Sequence, residues 1–326
     1  MTVLTWRDLN RALLARQLLL ARAALSVPAA LEAMGGLQAQ YAPSMYIGLW
    51  SRVAGFSRDA LTRMLEERSV VQATLLRGTI HLVSRADYWP FAVGVREYRP
   101  PVLGVDALAL VVERLRGGPL RRTELPAEVR QMAHVQLELV RVPPSGTWER
   151  RRADIYGLAE DWLGPPAIDV SAARELLVRR YLTGFGPAHP KEIADWAGLP
   201  PAVIAGVLAG MALRTFRDSR GRELVDLPDL PLPSPDTPAP VRFLPTWDAA
   251  LLVHARRSLI LPEEHRSKVF HVRMPQSIGT FLVDGQVAGT WAFRNGALSW
   301  EAFSELPDSV RRQVDEEAAS LTAFHV

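Results

Sequence analysis

Two glutamines one residue apart have the type and spacing in this chain best suited to chemistry: Gln38 and Gln40, within Gly35-Gly36-Leu37-Gln38-Ala39-Gln40-Tyr41-Ala42-Pro43-Ser44. A carboxamide has no pKa in reach for deprotonating water. Its carbonyl can still orient a water and steady a developing positive charge. Residues i and i+2 face one side of an extended segment but diverge by about 200° on a helix. Joint action therefore requires an extended or turn conformation after Gly35-Gly36, and that is the conformation expected. Such a pair is a weak catalyst for a stable bond and depends on a substrate that is already activated.

Other chemistries lack their residues. There is no Gly-x-x-x-x-Gly-Lys phosphate cradle, no His-Glu-x-x-His and no nucleophile elbow. The seven histidines are scattered and cysteine is absent, which removes thiolate catalysis, disulfides and the cysteine-rich zinc sites. No metal and no cofactor are expected. Lys191 and Lys268 are the only lysines, and neither is near the glutamines in sequence, so Schiff-base lyase chemistry is not expected either.

The chain has 326 residues, of which 48% are apolar, enough for well-packed cores in about two ordinary domains or several small ones. The net charge of +3 is uneven: residues 1–160 hold 21 Arg against 15 Asp/Glu, and residues 161–326 hold 17 Lys/Arg against 20. The first half is the polyanion-binding candidate, through guanidinium groups that fork onto phosphates and guanine edges. A GC-rich genome that spells its basic residues as arginine explains the composition equally well. No apolar run approaches a membrane span, and Arg11, Arg16 and Arg22 interrupt the early leucines. A cytoplasmic, membrane-free protein is the expectation.

The elements that must position the glutamines follow from periodicity. Helical spacing dominates residues 6–68, with Pro28 suited to a first turn and Gly35-Gly36 to a helix end. Residues 70–83 turn β-branched and alternating around Gly78 and read as a hairpin. Helices followed by a hairpin recur most clearly at 171–227: Ser171–Tyr181, Pro190–Ala197, Pro200–Met211, then strands Leu213–Arg217 and Glu223–Leu227. A weaker copy spans about 100–163, with Pro143-Pro144-Ser145-Gly146, Trp148 and Arg150-Arg151-Arg152 as a basic wing. Six prolines within 228–240 mark a boundary. Strand-like runs follow at Val241–Leu244, Val269–Met274, Gly279–Val283, Gln286–Phe293 and Ala297–Ala302, two of the turns being Asp284-Gly285 and Asn295-Gly296, before a helix from about Ser309 to Ala323.

Nearly the whole chain resembles the AlkZ/YcaQ family of DNA glycosylases. The landmarks are Gly36-Leu37-Gln38-Ala39-Gln40 with Pro43-Ser44 and Leu49-Trp50-Ser51-Arg52, then Thr74-Leu75-Leu76-Arg77-Gly78-Thr79-Ile80-His81-Leu82-Val83. Pro144-Ser145-Gly146-Thr147-Trp148, Tyr181-Leu182-Thr183-Gly184-Phe185-Gly186-Pro187-Ala188 and Phe243-Leu244-Pro245-Thr246-Trp247-Asp248 continue the match. The resemblance implies an α+β, mainly α, fold: three tandem winged-helix motifs in a C-shape, then a small C-terminal β-barrel. The units would be 1–95, 96–170, 171–238 and 239–326. It implies Gln38 and Gln40 as the catalytic pair of a Gln-x-Gln, AlkZ-type branch. The implied reaction is the release of N7-alkylated guanine, including bulky or crosslinked adducts, from double-stranded DNA, with self-resistance to a genotoxin among the family's roles. That substrate fits two neutral amides, because the alkylated base is cationic and leaves readily. A monomer acting without strand cleavage is expected.

Further residues carry paired readings. Arg77, Thr79 and His81 on the first hairpin either meet DNA or are satisfied structural residues. Arg52 is a phosphate contact or a helix-surface charge partner, and Arg150, Arg151 and Arg152 are DNA contacts or a solvated turn. Trp247, with Asp248 and His254, lines the cleft or locks the C-terminal unit in place, the packing role being favoured for Trp247. Two other functions share the same patterns: a non-catalytic winged-helix DNA-binding regulator and a genotoxin-sequestering protein.

Overall fold

The computed structural model describes residues 2–127, 129, 130, 133–252, 257–270 and 277–326. Strand β1 (Val3–Leu4) leads into α1 (Trp6–Arg16), which opens on a reciprocal capping box between Thr5 and Asp8. Helix α2 (Val27–Met34) starts under the Ser26 hydroxyl with Pro28 in its first turn and stops at Gly35, φ 77°. Gly36, φ 79°, follows; a Cβ there would sit 3.1 Å from the Leu82 carbonyl, so only glycine lets the chain turn this closely into β2 (Leu37–Gln38). Helix α3 (Ala42–Trp50) is buried along its whole length, and α4 (Arg58–Glu66) packs Leu61 and Leu65 inward.

Strands β3 (Val70–Thr74) and β4 (Ile80–Ser84) form the expected first hairpin, followed by α5 (Arg85–Val95). Beyond it come α6 (Val105–Arg116), β5 (Leu120–Arg121), α7 (Ala133–Gln136), β6 (Leu139–Arg141), β7 (Ile155–Leu158) and α8 (Ala159–Leu163). The two hairpins are not separate: β3 pairs with β6 through Gln72 opposite Arg141, giving one six-stranded antiparallel sheet in the order β2-β4-β3-β6-β7-β5. The sheet thus runs across the boundary placed at 95/96. A smaller core of Val111, Leu115, Leu125, Val129, Leu139 and Tyr156 packs under the β5–β7 side.

Helices α9 (Val170–Phe185), α10 (Pro190–Ala197) and α11 (Pro201–Ala209) precede the hairpin β8 (Arg214–Asp218) and β9 (Glu223–Asp226), in the order read from the sequence. One partner was not foreseen: β1 adds in parallel to β8. A buried ion pair, Arg16 to Asp226 at 2.7 Å, ties α1 to that hairpin.

The C-terminal region differs from the expectation of a barrel. Strands β10 (Arg242–Leu244), β11 (Thr280–Val283), β12 (Gln286–Arg294) and β13 (Ala297–Ala302) pair antiparallel in sequence order, and among the described residues β13 does not return to β10. The helix Asp308–His325 packs against both β10 and β13, so the face that closure would need is already covered. Asp284-Gly285 and Asn295-Gly296 have positive φ, as tight hairpin turns between right-twisted strands require. Residues 271–274 of the strand expected at Val269–Met274 lie outside the described residues; Val269 ends a short helical turn from Arg266.

Candidate functional site

Strand β2 is one of the two outer strands of the six-stranded sheet, and it holds Gln38 extended, directly opposite His81 of β4. Ala39 N–H donates to the Ile80 carbonyl at 2.8 Å. In an antiparallel ladder this makes Gln38 and His81 the closer, non-hydrogen-bonded pair, with side chains side by side on one face. The main-chain return bond is missing. Ile80 N–H donates instead to Gln40 Oε1 at 3.3 Å, so strand alternation stops at Ala39 and the Gln40 side chain folds back onto the ladder. Gln38 is 9% exposed, whereas Gln40 is open to solvent.

The His81 imidazole is buried, and its Nδ1 lies 2.9 Å from the Thr79 carbonyl, which requires Nδ1 to donate. Burial, reinforced by Arg77, pulls its pKa down to about 3. The ring is therefore neutral at ordinary pH, and Nε2 keeps its lone pair beside Gln38.

Gln40 and Ala39 line a cavity of about 320 Å³ bounded across the sheet by Arg122, His134, Arg141 and Tyr156, and by Arg151 to Asp154 of the β6–β7 connection. Gln38 is not among its lining residues. A second cavity of about 300 Å³ is aromatic, with Trp148, Trp291, Phe293 and His325 among its walls. Tyr41, next to Gln40, lines this second cavity and takes a hydrogen bond from Arg151 Nη1 at 3.1 Å, while Arg151 borders both.

The remaining sequence candidates divide by burial. Arg52 is enclosed: it forms a forked ion pair with Asp248 at 2.8 and 2.9 Å and donates to the Gln17 and Gly48 carbonyls. It cannot reach a phosphate, which corrects the DNA-contact reading. The charge partner is real but interior, because the C-terminal segment covers α3. Arg77, φ 53°, is exposed on the hairpin and donates to the Trp196 carbonyl at the end of α10. Thr79 bonds the Leu76 carbonyl within the turn. Arg150 is half-buried, and Arg151 and Arg152 are exposed. Trp148 packs among Tyr46, Phe324 and His325, and Trp247 holds a left-handed backbone at φ 61°. His254 lies outside the described residues.

Sequence reasoning passed over Arg122, His134, Arg141 and Tyr156, which the fold brings to the cavity from distant segments. One signal was available: Arg141 interrupts the apolar run Leu139-Val140-Arg141-Val142, where a charge is costly unless it has work to do.

A family model described as DNA glycosylase AlkZ-like matches residues 31–324. The solved structure of Streptomyces sahachiroi DNA glycosylase AlkZ is similar at a TM-score of 0.82 over 99% of this chain and 97% of its own, at 20% identity, a likeness of fold. No curated protein sequence matches. Among the described residues no helix is long and apolar enough to cross a membrane, and no cluster of His, Asp and Glu could hold a metal ion.

Proposed function

Because this chain belongs to the AlkZ-like DNA glycosylase family, we propose that it hydrolyses the N-glycosidic bond of N7-alkylated guanine in double-stranded DNA, bulky and crosslinked adducts included. It leaves an abasic site and does not cut the strand. The observation that carries this reading is the placement of Gln40 on an arginine-bordered cavity at the outer strand, with Gln38 one residue away beside a neutral His81. Three winged-helix units around that cleft, a monomer, a cytoplasmic setting and a role in self-resistance belong to the same reading.

The chemistry follows from the groups present. Alkylation at N7 makes guanine cationic, so the bond to C1′ breaks with its electron pair passing to the base, which leaves neutral. The sugar becomes oxocarbenium-like. The carbonyl dipoles of Gln38 and Gln40 oppose that charge and hold a water for attack at C1′; the proton released on attack passes to solvent, since an amide cannot take it. Neither glutamine acts as a strong base, so unmodified guanine is spared.

The test is incubation with duplex DNA carrying N7-methylguanine, beside Gln38→Ala and Gln40→Ala. The parent should release the free base and both variants should release it far more slowly. No release by the parent, or equal release by all three, removes the proposal. A regulator would bind DNA and release nothing, and a sequestering protein would bind a free genotoxin tightly with no base lost.

A further inference from the structure

The cavity beside Gln40 is unusual in its charge. Among the described residues four arginines border it, Arg122, Arg141, Arg151 and Arg152, against one carboxylate, Asp154, which lies 3.6 Å from Arg152. Arg151 and Arg152 are exposed at the rim. Arg141 is different, being 4% exposed on the floor of the cavity. Its Nη2 donates to the Thr74 hydroxyl at 3.1 Å, and its Nε and Nη1 have no hydrogen-bond partner among the described residues. His134, stacked on Tyr156, likewise has a buried Nδ1 without a partner.

A buried cation with unmet donors is costly unless an anion completes it. Burial lowers the Arg141 guanidinium below its usual range, and burial together with Arg141 and Arg122 pulls His134 down to about 4. Burial thus disfavours the charged form of both groups, and a single negative charge placed beside them would offset that cost for both. The cavity volume and its polar rim suit a phosphate, while its opening is set beside Gln40, where the deoxyribose of the proposed substrate would lie.

We propose that this cavity is the seat of one phosphodiester of the DNA strand, next to the damaged nucleotide, held by the buried Arg141 from below and by Arg151 and Arg152 at the rim. The seat fixes the sugar against Gln40 by anchoring the backbone on one side. The inference rests on DNA being the substrate. A phosphodiester and free inorganic phosphate present the same chemistry, and the experiment separates them.

Duplexes in which single phosphates near the lesion are replaced by uncharged methylphosphonates are bound to the parent, to Arg141→Met and to Arg152→Gln, with affinity read at several salt concentrations. One methylphosphonate position should weaken the parent roughly 10-fold and lower its salt slope by about 0.9, as one lost phosphate contact does. At that position, and no other, Arg141→Met should show a clearly smaller loss than the parent, because the two rim arginines remain. Arg152→Gln, altered at an exposed site, should show a reduced loss there, and it keeps the test valid if Arg141→Met does not fold. Inorganic phosphate at millimolar concentration should raise the melting temperature of the parent but not of Arg141→Met if free phosphate also enters; no rise assigns the seat to the DNA backbone alone. Equal sensitivity of parent and variants at every position overturns the proposal. Because the readout is binding, base release that fails while the position-specific loss persists would refute the glycosylase reading and leave the seat standing.

Discussion

Gln40 substitutes a side-chain carbonyl for a main-chain one: its Oε1 accepts the Ile80 N–H at 3.3 Å, while the Ile80 carbonyl takes the Ala39 N–H at 2.8 Å. The strand ends there, and the amide is held at the mouth of the arginine-bordered cavity with one carbonyl lone pair and its NH2 group left over. Preorganisation of this kind costs nothing at the moment of reaction.

Gln40→Ala is expected to lower single-turnover release of N7-methylguanine by about 100-fold, the scale of losing one preorganised polar group. Gln40 is exposed, so stability should change by only about 0.5 kcal/mol. A melting curve beside the single-turnover time course checks both halves; lost activity accompanied by a collapsed melting temperature would return Gln40 to a structural role.

Arg52→Met should destabilise the fold by about 3–5 kcal/mol, because it strands Asp248 as a buried charge. Denaturant melts of Arg52→Met and of the double variant Arg52→Met, Asp248→Leu check it, with the double variant expected to recover much of the loss. DNA affinity per folded molecule should stay unchanged. A selective loss of DNA affinity at full stability would contradict the interior assignment.

His81 predicts a pH dependence of stability. Its native pKa is about 3 against about 6.5 when unfolded, so between those values the unfolded chain binds more protons. Stability is complete above pH 6.5 and falls by up to roughly 1.4 kcal/mol per pH unit as pH drops toward 3. His134, drawn down to about 4, adds to the slope over 6.5 to 4. Thermal melts from pH 7 to 4.5 should be flatter for His81→Gln than for the parent; parallel curves would show that the ring is protonated in the native state.

No strand cleavage is expected without added alkali, and borohydride should trap no lysine–DNA adduct. Lys191 is engaged with Asp195 at 2.7 Å on α10, and Lys268 sits over the Phe303 ring at 4.7 Å. Spontaneous nicking at the abasic site in proportion to enzyme would refute this.

Much of the fold was legible because it is local. Gly35 ends α2, Gly198 ends α10, Asp284-Gly285 and Asn295-Gly296 turn two hairpins, and each acts through its own backbone conformation, readable from neighbouring residues. The glutamine pair was visible as a motif, and its extended conformation followed from the two glycines before it. The side each amide faces was not readable, since strand alternation stops when Gln40 captures Ile80 N–H, a residue forty positions on.

The amino-acid order by itself settled helix and hairpin positions, the absence of thiol chemistry and the pairing of two amides near many arginines. Only the folded chain decided which arginines are free to meet DNA: Arg52 is sealed by Asp248, a partner 196 residues away, while Arg141, on the floor of a cavity, bonds Thr74 through Nη2 and keeps Nε and Nη1 without a hydrogen bond among the described residues. The same is true of the seam at which Gln72 pairs with Arg141 and merges two hairpins into one sheet. Burial and charge pairing depend on what distant segments bring to a side chain, and no residue type or spacing encodes that locally.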